Sequence, residues 1–397
     1  MVKLFLLVAF LTTMCASIPP SPIAIPLPST IPTDVATLSG VPDEFSTLLS
    51  PGPAAILPLP AGQLYHGVYP GGISGEESDL TLQDLRSYEQ SAGKQAVWVY
   101  FSHNWYEGRS FPLSTATWIH TAGSLPYIRL MLRSSAEQNV AEPLYTLQAI
   151  IDGQFDTDLQ AWCDAAHNFG TPLLAEYGTE VNGEWFSWNG KWNGAGNKSG
   201  YGDPTEPDGP ERFRDAYRHI IQTCRESVAT NITWVFHLNA VDSPQNAWNH
   251  FENYYPGDGW IDWIAVSLYG AQTPLDDYCD EFRPGMDAVY PRMAALAPGK
   301  PLFLAEFGVA KNNPLCDQAE WARSALTDIV SFRWPRLTAF SWWNEWWQND
   351  GNPAHDTTMR LQDNAALSAV FQELAGNNPI VLSRIASAKI YLPYVRR

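Results

Sequence analysis

The chain has 397 residues, 45% hydrophobic and 17% charged, which is enough apolar material for one large domain or two ordinary ones. Its formal net charge of −18 argues against nucleic acid, whose phosphates call for a basic surface, and suits a neutral partner. Seventeen Trp and seventeen Tyr serve mainly a core, but such abundance also suits flat platforms for sugar rings.

In chain order, the first segment is MVKLFLLVAFLTTMCAS. One Lys, an apolar run from Leu4 to Leu11 and a small-residue end predict a secretory leader over 1–17. A secreted or cell-surface location follows, with no transmembrane segment in the mature chain, because the run is too short to span a bilayer. Residues 18–60 are dense in Pro, Ser and Thr (IPPSPIAIPLPSTIP, then LSPGPAAILPLP) and read as an extended linker.

From 61 to 378 one alternation repeats. Strand-like runs are QLYHGVY, QAVWVYFS, LPYIRLML, TPLLAEYG, NITWVFHL, WIDWIAVSLY, KPLFLAEFG and LTAFSWWN. Helical patterns between them include DLTLQDLRSYEQSAG, DLQAWCDAAHNFG, PERFRDAYRHIIQTCRESV, EWARSALTDIVSF and NAALSAVFQELAG, with Gly93 and Gly170 as stops. Eight strands alternating with helices predict an α/β fold, a single (β/α)8 TIM barrel. A doubly wound sheet fits less well, since no GxGxxG loop follows the first strand. The tail, 379–397, ends in KIYLPYVRR and has no assigned role. Beyond the leader lie Cys163, Cys224, Cys279 and Cys316, which allow two disulfides in three pairings. No CxxC or His-rich spacing marks a metal site.

Barrel enzymes draw their catalytic groups from the C-terminal ends of strands and the loops after them. The fourth strand ends in Thr179-Glu180-Val181-Asn182-Gly183 and the seventh in Glu306-Phe307-Gly308. The second ends in Ser102-His103-Asn104-Trp105, the sixth in Ser267-Leu268-Tyr269, and the eighth in Ser341-Trp342-Trp343-Asn344. Glu180 and Glu306 therefore share one rim, and a pair of carboxyl groups is what glycoside hydrolysis needs. One protonates the leaving oxygen and the other meets the anomeric carbon. Burial beside Trp185 and Phe186 would raise the pKa of Glu180, while a phenol donor from Tyr269 would keep Glu306 ionised. Trp98, Trp234 and Trp263, inside strands, are expected in the core. Glu184 is expected to meet solvent or sugar hydroxyls. Glu176 has the strand parity of Glu180 and needs a partner inside the barrel, for which Arg129 is the candidate.

The strings EYGTEVNGEWFSWNG, WIDWIAVSLYG and KPLFLAEFGV resemble glycoside hydrolase family 26, the β-mannanase-type retaining barrels, over about residues 67–376. The resemblance implies Glu180 as acid/base and Glu306 as nucleophile, with Tyr269 hydrogen-bonded to the nucleophile. It also implies that Trp185 and Trp342 or Trp343 wall the subsites, in a fold without metal or organic cofactor. Trp188, Asn182, His103, Trp105 and His237 complete the expected substrate-binding set. Two places depart from the family: Thr179 stands where it usually has His, and Glu176 where it usually has Arg. The expected function is a monomeric, retaining endo-glycosidase acting on a β-linked polysaccharide, with β-1,4-mannan favoured. β-1,3/1,4-glucan, β-1,3-xylan, or sugar binding without cleavage are the alternatives.

Overall fold

A computed structural model describes residues 57–383 and 385, apart from 73, 76 and 78. The expected leader, most of the linker and most of the tail lie outside the described residues. Eight parallel strands form a closed barrel: β1 Leu64–Tyr69, β2 Trp98–Asn104, β3 Leu125–Met131, β4 Leu173–Tyr177, β5 Ile232–Asn239, β6 Trp263–Tyr269, β7 Leu302–Gly308 and β8 Leu337–Trp343. β8 closes on β1 through pairs from Tyr65↔Ala339 to Tyr69↔Trp343. The outer layer holds α1 Leu82–Ala92, α2 Leu113–Thr121, α3 Leu147–Ile151, α4 Asp156–Phe169, α5 Asp208–Glu226, α6 Phe282–Leu296, α7 Gln318–Val330 and α8 Ala365–Phe371. Between β5 and β6 the crossover carries two 3₁₀ turns, Ala247–Asn249 and Phe251–Tyr254, in place of an α-helix.

Local sequence explains these elements. Thr81 and Asp84 form a reciprocal capping box that starts α1, and Gly93 ends it in the left-handed region at φ 71°. Gly170 ends α4 the same way at φ 74°. On α5 the buried residues Phe213, Ala216, Tyr217, Ile220, Ile221 and Cys224 recur at helical spacing and face the sheet. Disulfides Cys163–Cys224 and Cys279–Cys316 resolve the open pairing. The first ties α4 to α5, and the second ties the loop after β6 to the loop after β7.

The lower barrel is filled by aromatic rings. Trp98 meets Tyr65, Tyr127 and Phe303 edge-on at 6.1, 6.5 and 5.8 Å between centroids, and Trp263 meets Phe303 at 5.7 Å. Such pairs contribute ~0.5–1.5 kcal/mol each beyond their burial. Gly67 leaves the space that the Trp98 indole fills, since a Cβ there would collide with it. Both ends of the expected barrel extend further than the sequence suggested. Leu57 is buried with its N–H on Thr233 Oγ1 at 3.1 Å, and β9, a two-residue strand Val381–Leu382, pairs with β1.

Candidate active site

Glu180 leaves β4 through a tight turn. Gly178 takes φ 79°, and a Cβ there would strike the Phe213 ring. Glu180 itself has φ 49°, a conformation that costs a non-glycine residue ~1–3 kcal/mol and recurs at functional sites. The turn is held by Val181 N donating to His237 O at 3.2 Å and Gly183 N donating to Glu180 O at 2.7 Å. Trp185 Nε1 donates to Glu180 Oε2 at 2.8 Å, over a glycine, Gly183, whose Cβ would hit that indole. Burial, then the negative charge of Glu306, push the Glu180 pKa up to about 7.

Glu306 reaches the same rim by a break in alternation. Phe303 points into the barrel, so strict alternation would put Ala305 and Phe307 inside. Instead Leu304 pairs with Val266 and Glu306 with Ser267, leaving Ala305 as an extra residue. The shift turns Glu306 inward and sends Phe307 out against Phe282 and Trp321. Tyr269 donates to Glu306 Oε2 at 2.8 Å, and the Tyr100 hydroxyl, shared with Glu176, stands 3.1 Å from Oε1. The Arg129 guanidinium stands 4.0 Å from Oε1. Burial, reinforced by carboxylate charge, holds both phenols well above their usual pKa, so they stay donors.

Below this pair lies Glu176, fully buried. The expected Arg129 pairing is not what forms. Glu176 accepts from Tyr100, Tyr127 and Thr179 hydroxyls and from His237 Nδ1 at 3.1 Å. Burial alone would lower the His237 pKa and raise that of Glu176. Their mutual attraction outweighs it, so His237 stands above and Glu176 below the ordinary value. Arg129 instead bonds Glu77 at 2.7 Å and Thr179 Oγ1 at 3.3 Å, because its longer side chain rises past the Glu176 level.

A cleft of about 1150 Å³ opens over these groups, lined by Glu77, Arg129, Glu180, Trp185, Ser267, Tyr269, Glu306, Trp343, Glu345 and Trp347 among others. Trp343 stacks on Tyr69 with centroids 4.0 Å apart, its exposed side toward the cleft. Arg129 is the one cation among the described residues of the lining. Sequence reasoning missed Glu345, which lies two residues beyond the β8 end. Burial, then the Glu77 charge, raise its pKa to about 8, so it lines the cleft as a neutral acid. Tyr69 donates to its Oε1 at 3.4 Å. Glu77 was missed as well, since it lies outside any strand end; burial opposes its ionisation but Arg129 and Ser102 outweigh burial.

The structure brings Glu180, Glu306, Tyr269, Trp185 and Trp343 to one cleft and leaves six expected residues elsewhere. Trp188 is buried, stacked on Phe186 at 4.4 Å, with its N–H on Thr179 O at 2.8 Å. Asn182 is consumed as a brace, donating to Asn239 O at 2.9 Å and Asp242 Oδ1 at 2.8 Å. His103 is buried, accepts from Trp162 Nε1 at 3.3 Å, and burial lowers its pKa to about 4. Trp105 is buried edge-on to Tyr145 at 5.4 Å. Trp342 faces the helices, packed on Phe371 at 5.2 Å, with its N–H on Met359 O at 2.7 Å. His237 lies beneath the cleft floor rather than on it. Glu184 pairs with Lys191 at 2.6 Å. Among the described residues no three His, Cys, Asp or Glu converge as a metal site, and no helix is long and apolar enough to cross a membrane.

With this geometry in view, residues 140–306 match the family model "Glycosyl hydrolase family 26". Endoglucanase H of Acetivibrio thermocellus is 22% identical over 74% of the chain and 29% of its own length. Mannan endo-1,4-beta-mannosidase A and B of Caldalkalibacillus mannanilyticus is 28% identical over 48% of the chain and 31% of its own length. The chain thus spans under a third of the length of either curated relative. A solved β-mannanase from Bacteroides ovatus superposes with a TM-score of 0.55 at 14% identity, covering 85% of this chain and 94% of that one.

Proposed function

We propose that the chain carries a (β/α)8 glycosidase domain of the family 26 kind and hydrolyses a β-linked polysaccharide with retention of configuration, Glu180 serving as acid/base and Glu306 as nucleophile. The observation that carries this reading is the meeting of two buried carboxyls in one cleft in unlike surroundings, Glu180 against an indole with its pKa raised to about 7, Glu306 against a phenol and a guanidinium. In the first step an oxygen of Glu306 bonds to the anomeric carbon as the glycosidic C–O bond breaks, and the Glu180 proton passes to the leaving oxygen. Once Glu306 is an ester its charge is gone. One of the two causes that hold Glu180 protonated then disappears, and Glu180 becomes the base that takes a proton from the incoming water. Retention expects the two carboxyls ~5–5.5 Å apart.

The cleft exceeds the ~300–1,000 Å³ of ordinary ligand pockets, which supports a chain of sugar rings and endo action. Trp185 and Trp343 would offer ring faces. Neutral Glu345 would supply a donor to a sugar hydroxyl without an uncompensated charge. β-1,4-Mannan is the favoured polymer, supported by the name of one relative; the endoglucanase name of the other keeps β-glucan as the alternative. We place the enzyme outside the cell as a monomer, on the leader-like sequence of 1–17 and on two disulfides of the kind that persist in oxidising compartments.

Reducing-end release from mannan, glucomannan, mixed-linkage glucan and xylan tests this, with Glu180→Ala and Glu306→Ala alongside. Release from one polymer, lost in both variants, is the expected result. Binding of a glycan with no new reducing ends would overturn it in favour of a binding protein.

A further inference from the structure

Behind Glu180 runs a buried line of groups that the two-carboxyl mechanism does not use. Glu176 of β4 bonds His237 Nδ1 of β5 at 3.1 Å, and His237 Nε2 lies 2.8 Å from Ser267 Oγ of β6. All three residues are wholly buried, yet Ser267 reaches the cleft floor that Glu180 also lines, and its hydroxyl favours the Glu180 carboxylate. We propose that Ser267 is a positioning residue for the Glu180 carboxyl, its hydroxyl aimed there by the Glu176–His237 pair behind it. The proposal rests on Glu180 being the acid/base.

The argument turns on a single proton. A serine hydroxyl has one hydrogen and two acceptor sites. With a neutral His237 whose Nδ1–H faces Glu176, the Nε2 is an acceptor and takes the Ser267 hydrogen, leaving Glu180 without it. With an imidazolium, Nε2–H donates to Ser267 Oγ and the hydroxyl hydrogen is free for Glu180. Glu176 selects the second state. It is ringed by the hydroxyls of Tyr100, Tyr127 and Thr179, and these hold it as the anion that a buried imidazolium requires. Thr179 is spent on Glu176 and turned into the barrel, so it gives Glu180 no donor from its own side. Ser267 supplies one from the neighbouring strand.

The charges facing these groups come from every side of the barrel mouth. Glu180 meets Glu306 of β7, Tyr269 of β6, His237 of β5 and the Trp185 N–H. His237 meets Glu176 of β4, Tyr100 of β2, Glu306 and Glu180. Arg129 of β3 acts on Glu306. Among them burial and Glu306 favour protonated Glu180, whereas the Ser267 donor and the His237 charge favour the carboxylate. The line therefore trims an acid that burial would otherwise leave too weak, and holds it in one rotamer.

The test uses the full chain labelled with ¹³C at Glu δ-carbons, with Glu180 assigned through Glu180→Gln. Glu180 is titrated in the wild type, Ser267→Ala and His237→Gln. Both variants are expected to titrate Glu180 at higher pH than the wild type. An unchanged or lowered Glu180 titration in both would overturn the proposal, whether or not any glycan is cleaved, so its failure is distinct from failure of the glycosidase reading. Where a cleaved glycan is in hand, kinetics add a second check. Ser267→Ala should slow an unactivated oligosaccharide ~10-fold but spare glycosylation by the matching 2,4-dinitrophenyl glycoside, whose leaving group needs no proton. Equal slowing of both substrates would mark Ser267 as structural only. If the alanine variant does not fold, Ser267→Cys keeps the volume and weakens the donor, with the same outcomes read.

Discussion

The two sides of the cleft present one functional group in opposite settings. On the β4 side, Glu180 sits against the Trp185 indole in a strained turn and faces another carboxylate. On the β7 side, Glu306 receives the Tyr269 phenol hydrogen, lies beside the hydroxyl that Tyr100 shares with Glu176, and has a guanidinium 4.0 Å away. One wall sets a neutral indole N–H and a facing carboxylate around its carboxyl; the other sets a phenol and a guanidinium around its own. Desolvation and the facing carboxylate therefore favour the protonated form of Glu180, and a division of labour follows from surroundings rather than residue type.

The comparison breaks most visibly if the proposed nucleophile is removed. Glu306→Ala is expected to lower kcat on the polysaccharide by at least ~10⁴-fold, with far-ultraviolet circular dichroism unchanged, since a residue that acts as a unit with its partner takes most of the rate with it. Glu180→Ala should cost ~10²–10⁴-fold, the usual share of general acid catalysis, and much less on a dinitrophenyl glycoside. Tyr269→Phe removes one hydrogen bond to a charged group, ~1.5–3 kcal/mol, and should lower kcat/KM by ~10–100-fold.

Titration sharpens the contrast. Glu180 must carry its proton to act, and its pKa is about 7, so kcat/KM should fall as pH rises through that value. Each further pH unit should cost about tenfold, following the shrinking protonated fraction. The smallest effect concerns Glu345, raised to about 8 from the usual 4.5. A folded-state pKa above the unfolded one gives stability that is whole below the unfolded pKa and lost as pH climbs through the folded one. Glu345→Gln, neutral at every pH, should therefore gain on the wild type between pH 4.5 and 8, by up to a few kcal/mol in urea denaturation.

How far the sequence carried depends on which physical rule each residue obeys. The eight strands were legible because each is a short run of β-branched and aromatic residues bounded by turn residues, and Gly93 and Gly170 marked real helix ends. Strand-end position located Glu180, Glu306 and Tyr269. It misplaced Trp188 and Trp105, because an aromatic in a loop has no parity, and the chain folds both rings inward. Trp342 and Trp343 were equal candidates from composition; only the barrel's facing sends one to the helices and the other to the cleft. The β7 irregularity that aims Glu306 leaves no sequence mark, and neither does the reach of Arg129 past Glu176 to Glu77. Glu345 was one residue beyond the string considered.

The most direct test of the account is to trap the covalent intermediate. The mature protein would be incubated with an activated 2-deoxy-2-fluoro glycoside of the sugar it cleaves and mapped by peptide mass spectrometry. A single adduct on the peptide that ends β7, at Glu306 and absent from Glu306→Ala, is the predicted result. An adduct on Glu180 or Glu345, or turnover with inverted configuration and no adduct, would contradict it.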